Sequence, residues 1–350
     1  MRPLAFLTET WERFGDVFTI ELLHEGPWVI VADPDLVREV FRAPPDVLRA
    51  GEGKRVLGIN SLLLLDEERH MEQRRLLLPP FGPGHVERYE AAMRAAAERA
   101  IWAWPVETAA AAIEWTSAIA LEVILQVVFG VREGERLAPL REALGGLRRP
   151  SNERESRTPA FRHAIEHLDG LIFAEIAERA GDEEGDDVLS LLLAAVHEDG
   201  SPMTREEIRD ELMTLLVAGY ETTATTLAWA LERLARNPAA LDAAGSEAVA
   251  GGGPYIDATI KKTLRLRPAL PVLARAVKAP YRLGEHLIPP GATVAPAILL
   301  VHHRPDLYPE PEEFRPERFL DAPPQPHAWI PFGGGVRRCI GARSPCTRCA

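Results

Sequence analysis

The chain has 350 residues, 46% hydrophobic and 26% charged, with a formal net charge of −12 at pH 7. That length buries a sizeable core, as two ordinary domains or one large one. The acidic balance argues against a nucleic-acid partner, which needs clustered Lys and Arg to neutralise phosphates. No run of apolar residues reaches the roughly 18 of a membrane span. The opening "MRPLAFLTETWERFGD" lacks a signal-peptide core, which points to the cytoplasm.

In chain order, a short helix comes first. Two strand-like stretches follow, "DVFTIEL" and "WVIVA", with the turn "HEGP" between them. "DPDLVREVF" reads as a helix opened by Asp33 with Pro34 at its first position. Residues 84–240 carry mostly helical patterning, interrupted by a polar, exposed loop at 148–159. The longest predicted helix runs from Thr204 to Arg236. Thr204 and Glu207 form a T-x-x-E capping box at its start, and Asn237-Pro238 ends it. Its middle, "LLVAGYETTATTLAWAL", is apolar nearly all round, so a buried central helix is expected. A second helix, "PYIDATIKKTLRLRP", precedes short strands in "LARAVKA" and "YRLGEHLIPPGATVAPAILL". An irregular, proline-rich segment from Arg304 to Pro326 leads into the closing stretch "FGGGVRRCIGARSPCTRCA". With no repeats and no clean linker, one large, mainly α domain with small β-sheets is expected.

Chemistry concentrates in that closing stretch. Gly333, Gly334, Gly335 and Gly341 surround Cys339 and permit close approach of backbone to a flat ligand. Arg337 brings a charge suited to a carboxylate. A bland reading is a glycine loop with an incidental cysteine. Another takes Cys339, Cys346 and Cys349 as ligands of a small metal or iron–sulfur site, although C-x6-C-x2-C offers only three ligands. All three cysteines lie at this end, so a disulfide framework is not expected.

Phe332, Gly335, Arg337, Cys339 and Gly341 fill every fixed position of F-x-x-G-x-R-x-C-x-G. The segment resembles the haem-binding signature of the cytochrome P450 monooxygenases. The resemblance covers residues 1–341 and implies a single P450-like domain whose long central helix lies over haem b (iron protoporphyrin IX). It implies that Cys339 is the axial thiolate ligand of the iron. "AGYETT", Ala218 to Thr223, resembles the family's oxygen-activation segment. There Gly219 leaves room beside a ligand, Thr222 would hydrogen-bond to dioxygen, and Glu221 would join it in proton delivery. The alternative for the threonines is bonding back to carbonyls one turn earlier. His70 and Arg74, at i and i+4 in "HMEQRR", resemble contacts to the haem carboxylates, as do Arg275 and Arg337. "FRPERF" resembles the family's meander, with Arg318 in the structural role.

The resemblance further implies insertion of one oxygen atom of O₂ into a small, hydrophobic organic substrate. Electrons would come from a separate partner such as a ferredoxin, because no flavin or nicotinamide fingerprint is present. Arg74, Arg75, Arg337 and Arg338 are candidates for docking such a partner, and residues 48–66 and 148–200 for choosing the substrate.

Two departures stand out. The family's E-x-x-R motif reads Lys262-Thr263-Leu264-Arg265 here, which places three cations together with no carboxylate between them; Glu317 and Asp257 are the candidates for compensation. A degenerate haem binder with impaired activity is therefore the second reading. At the other departure, residues 342–350 do not match. Arg343 to Cys349 can be written in codons that, read two bases later, give L-A-L-H-E-M-R, an amphipathic helix. A frameshift after about Ala342 is the expectation, and the coding sequence tests it.

Overall fold

The computed structural model describes residues 3–23, 25–49, 57–104, 111–130, 137–147, 158–181 and 185–342. Its helices are α1 (Pro3–Phe14), α2 (Pro34–Arg42), α3 (Glu67–Leu77), α4 (Pro83–Trp102), α5 (Ala112–Phe129), α6 (Ala138–Gly146), α7 (Pro159–Arg179) and α8 (Val188–Leu193). They continue as α9 (Arg205–Ala235), α10 (Pro238–Val249), α11 (Pro254–Leu266), α12 (Ile298–Val301) and α13 (Arg318–Asp321). The strands are β1 (Val17–Leu22), β2 (Gly26–Val31), β3 (Leu48–Arg49), β4 (Arg275–Val277), β5 (Tyr281–Leu283), β6 (His286–Ile288) and β7 (Thr293–Pro296).

Local chemistry sets many of these ends. The Asp33 carboxylate caps α2 by accepting from the backbone N–H of Asp35 and Leu36, both at 2.9 Å. Before α9, Thr204 Oγ1 accepts from the Glu207 N–H at 3.2 Å, and the Glu207 carboxylate accepts from the Thr204 N–H at 2.8 Å. The expected capping box is present. Pro238 opens α10 immediately after Asn237, whose side-chain amide donates to the Arg233 carbonyl at 2.6 Å. Neither α10 nor α12 stands out in the sequence. The first is short and alanine-rich, and the second is one helical turn in "ILLV", which reads as strand by β-branching alone.

The chain folds into two compact units. One joins residues 1–51 to 225–342. Its five-stranded sheet has the order β1-β2-β7-β4-β3, antiparallel throughout except for β2 with β7, where Trp28 faces Thr293. The period of two sorts β2 between two cores. Val29 and Val31 pack with Val37, Val40, Phe41, Val294 and Ile330. Ile30 faces the other way, with Leu7, Phe18 and Leu300.

The other unit, residues 52–224, is helical among its described residues. Its α5 packs against α4, α6 and α8. With mean hydropathy 1.6 over 18 residues, α5 is long and apolar enough by length and composition to cross a membrane. The strict count of consecutive apolar residues overlooks it because Glu114, Thr116, Glu122 and Gln126 interrupt the run. In the fold it buries Ala120, Leu121, Leu125, Val127, Val128 and Phe129. Arg179 at the end of α7 ties this packing together by donating to the Phe129 carbonyl at 2.8 Å and pairing with Asp187 at 2.6 Å.

The long helix α9 departs from its expected burial. Ile208 to Leu216 are buried, but from Val217 onward only Ala224 is. Small and hydroxylated residues fill Ala218–Thr226, and beyond them Leu227, Trp229 and Leu231 are exposed as well.

Candidate functional site

In the unit built on the sheet, Cys339 sits exposed at the end of a tight loop. Its N–H donates to the Phe332 carbonyl at 3.0 Å, which closes the loop on itself. Gly333 and Gly335 adopt φ of +67° and +63°, values favoured for glycine. A Cβ on Gly335 would lie 2.0 Å from the Phe41 carbonyl oxygen, and one on Gly334 would lie 2.3 Å from the Phe41 ring. These glycines therefore serve close approach to α2. A Cβ on Gly341 would meet nothing within 4 Å.

Three anchors hold the segment before the loop. Tyr308 donates its hydroxyl to the Ala328 carbonyl at 3.0 Å, and the Trp329 indole N–H donates to the Lys261 carbonyl at 3.2 Å. His302, fully buried, accepts the Ile330 N–H at Nε2 (2.9 Å) and donates from Nδ1 to the Arg265 carbonyl (3.1 Å). That pattern demands a neutral ring. Burial pushes its pKa down to about 3, with the charges of Arg265 and His303 adding to the effect. Phe332 packs edge-on against Trp329 with ring centroids 6.0 Å apart. Sequence reasoning passes over His302 because its partners lie 37 and 28 residues away; its only signal is a histidine between an apolar run and the proline-rich segment. Arg275 and Arg337 are half-buried, and Arg275 donates to the Ala274 carbonyl at 2.8 Å.

In the helical unit, His70 is buried on α3 and Arg74, one turn on, is half-buried. Glu221 and Thr222 are half-buried on α9. The Thr222 hydroxyl donates to the Ala218 carbonyl at 2.7 Å, the back-bonding arrangement. Gly219 has a packing reason: a Cβ there would stand 2.8 Å from Ile124 Cδ1 of α5.

Within the stretch considered for substrate choice, the described residues from Leu57 dock on the first half of α9. Asn60 donates to Asp210 from its backbone and its side chain, both at 3.0 Å, and Thr214 bonds to Ser61 at 2.7 Å. Between them Glu211 is fully buried. Burial pushes its carboxyl up to about 8; the Leu62 backbone amide opposes this, and the charges of Asp210 and Glu207 add to it.

The family model for cytochrome P450 matches residues 1–149 and 150–343. The chain belongs to the cytochrome P450 family. A Mycobacterium tuberculosis relative that carries the name cytochrome P450 135B1 is 41% identical, over 97% of this chain and 77% of its own. Cytochrome P450 138 of the same species is 40% identical, over 94% and 79%. Among solved structures, the retinoic-acid-bound cyanobacterial CYP120A1 has a TM-score of 0.85 at 23% identity, covering 97% of this chain and 84% of that one. The cytochrome P450DA heme domain has a TM-score of 0.82 at 25%, covering 97% and 82%.

A cytochrome P450 carries haem and performs monooxygenation with O₂, an organic substrate and a redox partner. The residues present fit that group. An exposed thiol on a loop fixed by glycine contacts suits an iron ligand, and half-buried arginines suit the haem carboxylates. Cys346 and Cys349 lie outside the described residues, as do residues 343–350 altogether. Among the described residues no group of three His, Cys, Asp or Glu side chains stands close enough to hold a metal ion.

Lys262 is a buried charged residue left unsatisfied. It is fully buried on α11, and its Nζ has no hydrogen-bond partner among the described residues. Burial pushes its pKa down to about 6, with the charges of Arg265, Arg318 and Arg315 adding and Glu313 opposing. Neither candidate for compensation supplies a partner. The Glu317 carboxylate accepts the Tyr255 hydroxyl at 2.8 Å, and Asp257 is exposed.

Proposed function

We propose that this P450 is a haem b monooxygenase in which Cys339 is the axial thiolate ligand of the iron. The observation that carries the proposal is the exposed Cys339 on a loop too tightly packed against Phe41 to admit a side chain at Gly335. When bound, the haem supplies the activation of O₂ for insertion of one oxygen atom into a small hydrophobic substrate. Arg275, Arg337, His70 and Arg74 are assigned to its carboxylates, because paired cationic donors on short, ordered elements lose little entropy in gripping an anion. Phe332, Gly335 and Gly341 shape the loop around the ligand, and Gly219 keeps the helix backbone beside Thr222 uncrowded. Thr222, whose hydroxyl donates to the Ala218 carbonyl, and Glu221 are assigned to holding and passing protons.

Electrons are assigned to a separate ferredoxin that meets Arg338, beside the haem-assigned Arg337, in the cytoplasm. Charge reversal at Arg338 that leaves the rate of electron transfer unchanged removes that part. The axial assignment is tested by the absorbance spectrum of the reduced, carbon-monoxide-bound protein. A Soret band at the long-wavelength position typical of thiolate ligation is expected, with its loss in Cys339→Ser. The same band in that variant refutes the assignment.

The unpaired Lys262 favours a second reading, a P450 that holds haem poorly. Higher haem retention in Lys262→Glu than in the wild type supports it, and equal retention rejects it.

A further inference from the structure

Four buried polar atoms without a partner lie on or beside the inner face of α11. They are Thr259 Oγ1, Lys262 Nζ, Arg265 Nε and, on the packed neighbour α13, Arg318 Nε. All four can donate hydrogen bonds, and three belong to cationic groups. The acceptors that the two arginines use are backbone carbonyls. Arg265 donates to the carbonyls of His302 and Pro311, and Arg318 donates to that of Pro309 at 2.5 Å. The guanidinium of Arg265 is further fixed over the Tyr308 ring, 4.8 Å from its centroid. What the cluster lacks is therefore negative charge. Glu313, the carboxylate that acts on Lys262 through space, is exposed. A water molecule would fill hydrogen bonds but leave the buried charge uncompensated.

We propose that Thr259, Lys262, Arg265 and Arg318 form a buried binding site for a small monovalent anion of chloride or formate size. The anion accepts from the Lys262 amine, which takes up a proton as the anion enters, and from the two orphaned guanidinium N–H groups, and its charge stands where this chain has no carboxylate. Full burial of Lys262 and Arg265 excludes a large or branched anion. The site is independent of the haem assignment, since none of its residues is placed on the cofactor.

The experiment is thermal unfolding of the full chain at pH 7 and fixed ionic strength, in which chloride replaces gluconate, with formate as a second arm. Binding to the native state alone raises Tm continuously with ligand concentration once the dissociation constant is exceeded. A chloride-dependent rise is expected in the wild type and not in Lys262→Glu, which brings its own carboxylate. Crystals grown in bromide are expected to show an anomalous peak within roughly 3.5 Å of Lys262 Nζ. Equal Tm in chloride and gluconate overturns the proposal. So does the same chloride response in Lys262→Glu, which places the effect elsewhere. Should that variant fail to fold, the bromide map of the wild type decides alone.

Discussion

Replacing Lys262 by glutamate puts a carboxylate among Arg265, Arg318 and the Thr259 hydroxyl, all of which carry unpartnered buried atoms. Completing a buried, hydrogen-bonded ion pair reverses a penalty of about 3–5 kcal/mol. At ~2.1 cal/mol/K of unfolding entropy per residue, a chain this long gains about 1.4 °C per kcal/mol, so Tm should rise by roughly 4–7 °C in chloride-free buffer. A second signature separates charge from packing. In the wild type the Lys262 amine loses its proton near pH 6 in the native state but near 10.5 when unfolded. Between those values the unfolded chain binds one more proton, so stability rises with pH by about 1.4 kcal/mol per pH unit from this group and levels off below 6. Lys262→Glu should lack that rise. Thermal melts in chloride-free buffer measure the first quantity, and urea titrations at pH 6, 7.5 and 9 the second. An unchanged Tm together with identical pH slopes would refute the reasoning, because it would mean that Lys262 finds a partner in solution.

Gly335→Ala forces a Cβ to within 2.0 Å of the Phe41 carbonyl in a backbone conformation of φ +63°, and should cost more than ~2 kcal/mol, read as lowered Tm and lost haem. His302→Leu strands the Ile330 N–H and the second bond to the Arg265 carbonyl, for about 2–4 kcal/mol by chemical denaturation. Wild-type stability should rise with pH up to about 6.5 and be flat in this group above it, because the unfolded His302 takes up a proton below 6.5 while the native ring stays neutral; His302→Leu removes that rise. His197 should behave oppositely. Burial disfavours its charged form, but the hydrogen bond to Glu72 and the charge of Glu207 outweigh burial and hold its pKa above 6.5. Its contribution is full below pH 6.5 and fades as pH rises through the native value, a dependence that His197→Asn should remove. Gly219→Ala should destabilise through Ile124 Cδ1, and the double variant with Ile124→Val should recover much of the loss.

What could be read beforehand was what depends on neighbours in sequence. The Thr204–Glu207 box, the Asp33 cap and the glycine loop around Cys339 each carry their cause within a few residues. The contacts that fix the loop were hidden for the opposite reason. Phe41 presses on Gly334 and Gly335 from far along the chain, and His302 reads as a polar residue in loop composition until Arg265 and Ile330 are brought to it. The exposed second half of α9 was missed because apolar patterning counts Leu227, Trp229 and Leu231 as core, and they are exposed. The isolation of Lys262 needed three dimensions, for only there do Glu317 and Asp257 prove to face elsewhere.

The pairing of β2 with β7 has a consequence for synthesis. Trp28 leaves the ribosome long before Thr293, its partner across the sheet, is made. At about 5–20 residues per second the delay is roughly 13–50 s. Throughout it the edge of β2 that pairs with β7 has no partner strand, and Val29, Val31 and Ile30 lack the side chains of Val294, Ile330 and Leu300 that complete their cores. A nascent chain stalled before β7 therefore cannot complete the sheet.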